Sequence, residues 1–284
     1  MLTLVTGLDG FTGPYIKSEL EKKGHHVAGL IADLTNYEAT SEEIKRLQPE
    51  AVIHLAGISF VGHDHANSFY DVNLMGTHNL LKALVENVPN VQSILLASSA
   101  NVYGSRSEGL IDEDARPDPP NDYAVSKLAM EYLAHLWVGR LPLFIVRPFN
   151  YTGVGQDEKF LIPKIVSHFK QRKSIIELGN LEVWREFGDV RDVATIYCRL
   201  IECCPFGETI NVCTGEAHSL REVVLLCQKF SGHEIEIEIN PSFVRENEVR
   251  ILRGNNSRLE KIIGELEVYP LEDTLKWMLN EHRC

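Results

Sequence analysis

Five near-continuous apolar runs of strand length, at 2–6, 26–31, 51–55, 91–97 and 143–147, alternate with stretches of helical period at 15–22, 41–47, 67–85 and 123–137. Strands apolar on both faces, separated by amphipathic helices, form a parallel sheet covered on both sides. The expected fold is therefore a doubly wound α/β domain over residues 1–150, with its ligand beyond the carboxyl ends of the strands. After about residue 149 the pattern loosens. Helical stretches at 159–171, 191–201, 219–230 and 271–279 are separated by short strands such as 208–212 and 234–239. This predicts a smaller α/β region over 151–284, with about 187–212 packing back on the first domain.

The segment LVTGLDGFTG places Gly7, Gly10 and Gly13 between the first strand and the first helix. Glycine serves where φ is positive or where a Cβ would collide with an approaching phosphate. The amides and dipole of a helix start favour an anion. The spacing is GxxGxxG, a variant of the dinucleotide fingerprint, and Asp33 follows Gly13 at about the distance expected of an acidic adenosine contact. This position in the chain points to a dinucleotide site.

A chain of 284 residues with 44% hydrophobic content can bury a full core. Its net charge of −12 lacks the basic footprint that nucleic acid or an anionic membrane requires. No apolar run is long enough to span a membrane, and no basic segment precedes the first strand as in a signal peptide. Cys198, Cys203, Cys204, Cys213, Cys227 and Cys284 form no CxxC pair, so reduced thiols, a cytoplasmic location and no metal site are expected.

Two further stretches bear on chemistry. SSANVYG, residues 98–104, follows the fourth apolar run directly. YAVSK sets Tyr123 and Lys127 four residues apart, one turn apart on a helix face. An unperturbed tyrosine titrates near 10, too high for easy acid–base work. A neighbouring ammonium is expected to favour the phenolate and lower it. Ser99 can hydrogen-bond a substrate oxygen.

These motifs belong to an ordered series: TGLDGFTG, ADLTN (32–36), HLAG (54–57), NLMGT (73–77), SSANVYG, YAVSK, RPFNYTGVGQ (147–156), REFGDVRDV (185–193) and NVCTG (211–215). The series resembles the extended short-chain dehydrogenase/reductase family acting on nucleotide sugars. The resemblance implies a Rossmann domain holding NADPH or NADH, a nucleotide-sugar substrate, a C-terminal substrate region and a homodimer. It implies a catalytic triad of Ser99, Tyr123 and Lys127, with Lys127 also on the nicotinamide ribose. It assigns Gly7, Gly10, Phe11, Thr12 and Gly13 to the cofactor, with Asp33 and Leu34 at its adenine and Leu55, Ala56 and Gly57 at its central part. Asn73, Ala97 and Pro148 complete the cofactor site. Ser59, Ser99, Asn150, Arg185 and Arg245 are assigned to the substrate. His63 is a weaker loop candidate. Arg191 competes with a helix-start ion pair to Asp189 or Asp192, and Arg147 with a structural role.

Within the family, 4,6-dehydratases typically carry an acid just after the triad Ser or Thr, where this chain has Ala100 and Asn101. A 4-ketosugar reductase and a 4-epimerase therefore stay open, with a catalytically silent dinucleotide-binding subunit as a distant third. Residues 240–264 resemble the tail of enzymes acting on GDP-4-keto-6-deoxyhexoses, which favours reduction of a GDP- or dTDP-linked 4-keto-6-deoxyhexose. Glu246 departs from the usual proline of that pattern and Asn255 from the usual aspartate. No acidic residue ends the second strand, and no arginine stands there to meet a 2′-phosphate, so the choice between NADPH and NADH is open.

Overall fold

The apolar runs pair into one six-stranded parallel sheet in the order Thr209–Val212, Leu143–Pro148, Ser93–Ala97, Ala51–His54, Leu2–Thr6, His26–Gly29. The computed structural model describes residues 1–59, 66–104, 109–243 and 250–281. Alternation along each strand explains the continuous apolarity. Val5, Ile53, Leu95, Phe144 and Val146 face one core with helices Gly13–Lys22 and Val190–Cys203. Leu4, Val52, Ile94, Leu96 and Ile145 face the other, with helices Tyr37–Leu47, Thr77–Asn87 and Asp122–His135. Both faces are covered, as a parallel sheet requires.

Leu2–Thr6 pairs with His26–Gly29 on one side and Ala51–His54 on the other. The chain therefore reverses its direction of sheet growth at this strand. That makes the carboxyl ends of Leu2–Thr6 and Ala51–His54 the crevice where a doubly wound sheet binds its ligand. The second strand ends at Gly29, two residues before its apolar run does, and Ile31 lies exposed beyond it.

A third core lies under helices Leu161–Lys170, Leu220–Ser231 and Leu271–Asn280. A small sheet runs His218–Ser219, Trp184–Arg185, Ile251–Gly254, Gly109–Ile111. Two segments thus cross position 150: Thr209–Val212 joins the large sheet, and Gly109–Ile111 joins the small one.

Candidate active site

Gly7 has φ +70°, and a Cβ there would sit 2.9 Å from the Ala56 nitrogen. The glycine loop is thereby pressed against the end of Ala51–His54. At Gly57 a Cβ would lie 2.8 Å from Asn73 Oδ1 and 3.2 Å from Lys127 Nζ. The end of the third strand therefore forms a floor with room for glycine alone. The side chains of Phe11 and Thr12 are occupied elsewhere. Phe11 stacks on Tyr151 with ring centroids 6.0 Å apart, and Thr12 Oγ1 hydrogen-bonds the Tyr151 hydroxyl at 2.8 Å. What the loop offers a ligand is its backbone and the start of helix Gly13–Lys22.

Tyr123 and Lys127 share a helix started by Asn121, whose Oδ1 accepts from Ala124 N (2.9 Å), with Asp122 in the first turn. Lys127 Nζ donates to the Ala97 carbonyl at 2.8 Å, which ties the helix to the end of the fourth strand. Ser99 begins the short helical turn Ala100–Tyr103, its Oγ accepting from Asn101 N at 3.1 Å. The Ser99 hydroxyl lies near enough to the Tyr123 phenol to favour its ionised form. The three groups form one buried cluster. Asn73 lies against it in the π-helical segment Tyr70–Gly76, fully buried, its amide bonded to both backbone groups of Ile58 and to Ser126.

The electrostatics differ from the expectation of a lowered tyrosine. Burial pushes the Tyr123 phenol up to about 12, against a smaller lowering by the nearby Ser99 hydroxyl. Burial also brings Lys127 down to about 8, with Glu131 acting to raise it. Helical spacing conveys that the two groups are close. Desolvation decides both shifts, because both groups are buried. Tyr123 is consequently a neutral phenol at neutral pH, the form that can donate a proton.

Residues that motif spacing did not single out complete the site. His54 is fully buried and burial pushes it down to about 3, so it is neutral. Thr77 Oγ1 donates to the Asn73 carbonyl (2.7 Å), so it accepts from His54 Nε2 (2.8 Å). With that proton on Nε2, neutral His54 accepts at Nδ1 from Thr6 Oγ1 (2.7 Å), which itself accepts from Ala56 N (3.1 Å). The directions are mutually consistent and fix the Nε2–H tautomer. This relay couples the first strand, the Ala56 peptide and Asn73. Both HLAG and NLMGT contain its members, which was the available signal.

The remaining candidates are more dispersed. Asp33 is exposed, its Oδ1 accepting from the Thr35 amide and hydroxyl, which lower its carboxyl, while Leu34 is buried against Gly76. Ser59 and Asn150 are exposed at the carboxyl ends of their strands. Arg185 is half-buried, Nη1 donating to the Trp184 carbonyl at 2.8 Å. Arg245 and His63 lie outside the described residues. Arg191 forms the helix-start ion pair. Its guanidinium binds Asp189 at 2.9 and 2.6 Å and packs between the rings of Tyr269 and Trp277. Among the described residues no cluster of His, Cys, Asp or Glu could hold a metal ion, and no helix is long and apolar enough to cross a membrane.

Residues 3–213 match the NAD dependent epimerase/dehydratase family. The chain belongs to that family. It is 37% identical to GDP-6-deoxy-D-talose 4-dehydrogenase of Aggregatibacter actinomycetemcomitans, over 93% of this chain and 92% of that one. It is 34% identical to GDP-6-deoxy-D-mannose reductase of Pseudomonas aeruginosa, over 98% of this chain and 95% of that one. The structure of RMD from Pseudomonas aeruginosa complexed with NADPH superposes with a TM-score of 0.88 at 32% identity, covering 98% and 96% of the two chains. The epimerase/dehydratase chain described here is accordingly an NAD(P)-dependent enzyme of the extended short-chain dehydrogenase/reductase family that modifies nucleotide sugars. The glycine-lined floor beside Lys127 suits such a dinucleotide.

Proposed function

We propose that the enzyme interconverts a GDP-linked 4-keto-6-deoxyhexose and its 4-hydroxy sugar, working as an NAD(P)H-dependent reductase. The observation that carries this reading is the neutral Tyr123 phenol, buried with Ser99 and one turn from Lys127, with no acid in the turn that follows Ser99. The names of the two relatives support GDP over other nucleotides.

Bound NAD(P)H supplies the hydride that reaches C4. Tyr123 donates its proton to O4, and the Ser99 hydroxyl donates a hydrogen bond to the same oxygen, polarising the carbonyl. The Lys127 ammonium holds the nicotinamide ribose and favours the phenolate left on Tyr123. Asn73, Ala97 and Pro148 border the nicotinamide. Gly7, Gly10, Phe11, Thr12 and Gly13 take the pyrophosphate, Leu55, Ala56 and Gly57 the middle of the cofactor, and Asp33 and Leu34 the adenine. Ser59, Asn150, Arg185 and Arg245 take the nucleotide sugar. Ala100 and Asn101 cannot protonate a leaving hydroxyl, which argues against dehydration.

The family's name also admits 4-epimerisation, which returns the hydride to the other face and gains from never releasing its cofactor. A reductase must exchange the cofactor every turnover. Purified protein is therefore expected to emerge free of nicotinamide and to consume added NADPH or NADH with a GDP-4-ketosugar, more slowly with dTDP- and UDP-linked ones. Stoichiometric NAD surviving gel filtration, with activity in the absence of added cofactor, would establish the epimerase instead.

The outer face of Asp122–His135 supports a homodimer. Val125, Tyr132 and Leu136, spaced by seven and four residues, are exposed, Tyr132 by 65% and Leu136 by 77%. Met75 on the neighbouring helical segment is also exposed. Leu80, Leu81 and Leu84 instead point into the core, so the seam is narrower than the apolar content of the two helices suggests. An apolar stripe of this kind fits a two-fold seam with a second copy. Light scattering at micromolar concentration should give twice the 32.1 kDa chain mass. Tyr132→Glu should shift the protein to monomer, and a monomeric wild type would end this reading.

A further inference from the structure

Glu131 lies one turn beyond Lys127 and two beyond Tyr123 on the same helix face, with only 3% of its surface exposed. Its Oε1 accepts from Ser98 Oγ at 2.5 Å and from Arg147 Nε at 2.9 Å, and its Oε2 accepts from Arg147 Nη2 at 2.6 Å. Arg147 is itself satisfied, donating to the Tyr103 hydroxyl at 3.0 Å and to the Glu113 carbonyl at 3.3 Å. Ser98 immediately precedes Ser99, and Arg147 immediately precedes Pro148. One carboxylate therefore ties the triad helix to the ends of two central strands, at the residues next to those proposed for chemistry.

A buried ion pair of this kind is often no more stabilising than apolar residues of equal volume. Stability alone is a weak reason for it to be here. We propose that Glu131 is a positioning residue for catalysis: it fixes Ser98, and through it the peptide that presents Ser99, and it supplies the negative charge beneath Lys127. Among the groups around Lys127, Tyr123 and Glu131 come from its own helix and Asn73 from Tyr70–Gly76. Ala97 contributes its carbonyl, and neutral His54 lies on Ala51–His54. Glu131 is the acid among them, and it opposes the burial that draws the ammonium down. Without it, Lys127 gives up its proton at lower pH, and whatever requires the ammonium fails at lower pH.

The inference rests on the triad reading, and its test separates the two. Glu131→Gln is expected to lower kcat about tenfold to a hundredfold, as a small misplacement of reacting groups does. It should also start the alkaline limb of kcat/KM roughly one pH unit lower. Because that variant strands the Arg147 charge, E131Q/R147Q is made alongside it. A carboxylate that only balanced Arg147 would be dispensable there, and a folded double variant with wild-type kcat and alkaline limb overturns the proposal. Ser98→Ala leaves the Glu131–Arg147 pair intact. It is expected to lower kcat about tenfold with an unchanged limb and Kd for NADH, the last measured by fluorescence quenching. Should the Glu131 variants not fold, wild-type kcat in S98A overturns the proposal by itself. An inert triad would show differently, as Tyr123→Phe matching wild type.

Discussion

Tyr123→Phe is expected to lower kcat by roughly 10² to 10⁴-fold, the range general acid catalysis contributes, while leaving cofactor affinity almost unchanged. The substitution removes the hydroxyl near Ser99 and keeps the ring that packs against Phe69, whose centroid lies 6.1 Å away. A buried phenol that titrates near 12 is a competent donor at neutral pH but a reluctant base. The loss should therefore be measured in the reductive direction, with the ketosugar in excess. Lys127→Ala should do broader damage. It deletes the donor to the Ala97 carbonyl and the cation expected on the nicotinamide ribose, so both Kd for NADH and kcat should suffer. Wild-type reduction by the Tyr123→Phe enzyme would remove the acid from the mechanism. If both variants behaved as wild type, the YxxxK spacing would be an accident of helix periodicity.

That spacing illustrates what could be read without coordinates. Tyr123 and Lys127 are neighbours because a helix makes residues four apart neighbours, and the glycines adjoin the first strand because the order of elements puts them there. Strand alternation gave both cores for the same reason: period and order are local. Burial is not local. The expected lowering of Tyr123 failed because the ionic neighbour is visible in a motif, whereas the apolar walls that desolvate the phenol come from other elements. Pairing over long separations was equally hidden. Gly109–Ile111 joins Ile251–Gly254 in the small sheet, and neither stretch carries a pattern that names the other. Glu186 shows the same limit. It is 1% exposed, accepts from Thr214 N at 2.7 Å and from Gly254 N, and so pins NVCTG to that sheet. In REFGDVRDV it reads only as the residue after Arg185. The Thr6–His54–Thr77 relay falls between these cases, since its members lie inside quoted motifs but their partnership needs three segments brought together.

Gly13→Ala is expected to weaken NADH binding by tenfold to a hundredfold or more and to lower Tm. A Cβ at this position would stand 2.1 Å from the Leu8 carbonyl oxygen, 2.5 Å from its carbon and 2.6 Å from the Leu8 Cα. All three atoms are backbone, so no side chain can swing aside. Either the Leu8–Gly10 turn or the start of the Gly13–Lys22 helix must shift by about an ångström, because carbon contacts below the normal 3.5–4.0 Å are repulsive. Overpacking of this sort costs about 1–3 kcal/mol, which corresponds to roughly fivefold to 150-fold in an equilibrium constant. Here the displaced atoms are the ones proposed to cradle the pyrophosphate, so much of the penalty should fall on the cofactor. Gly10→Ala is the graded comparison, since its nearest contact would be the Gly7 oxygen at 3.1 Å. Gly139→Ala is the control, because a Cβ there meets nothing within 4 Å. The expected order of Kd for NADH is Gly139→Ala equal to wild type, Gly10→Ala modestly weaker and Gly13→Ala weakest. Isothermal titration of the three variants tests it, and unimpaired NADH binding by a folded Gly13→Ala protein would mean that the dinucleotide does not lie on this loop.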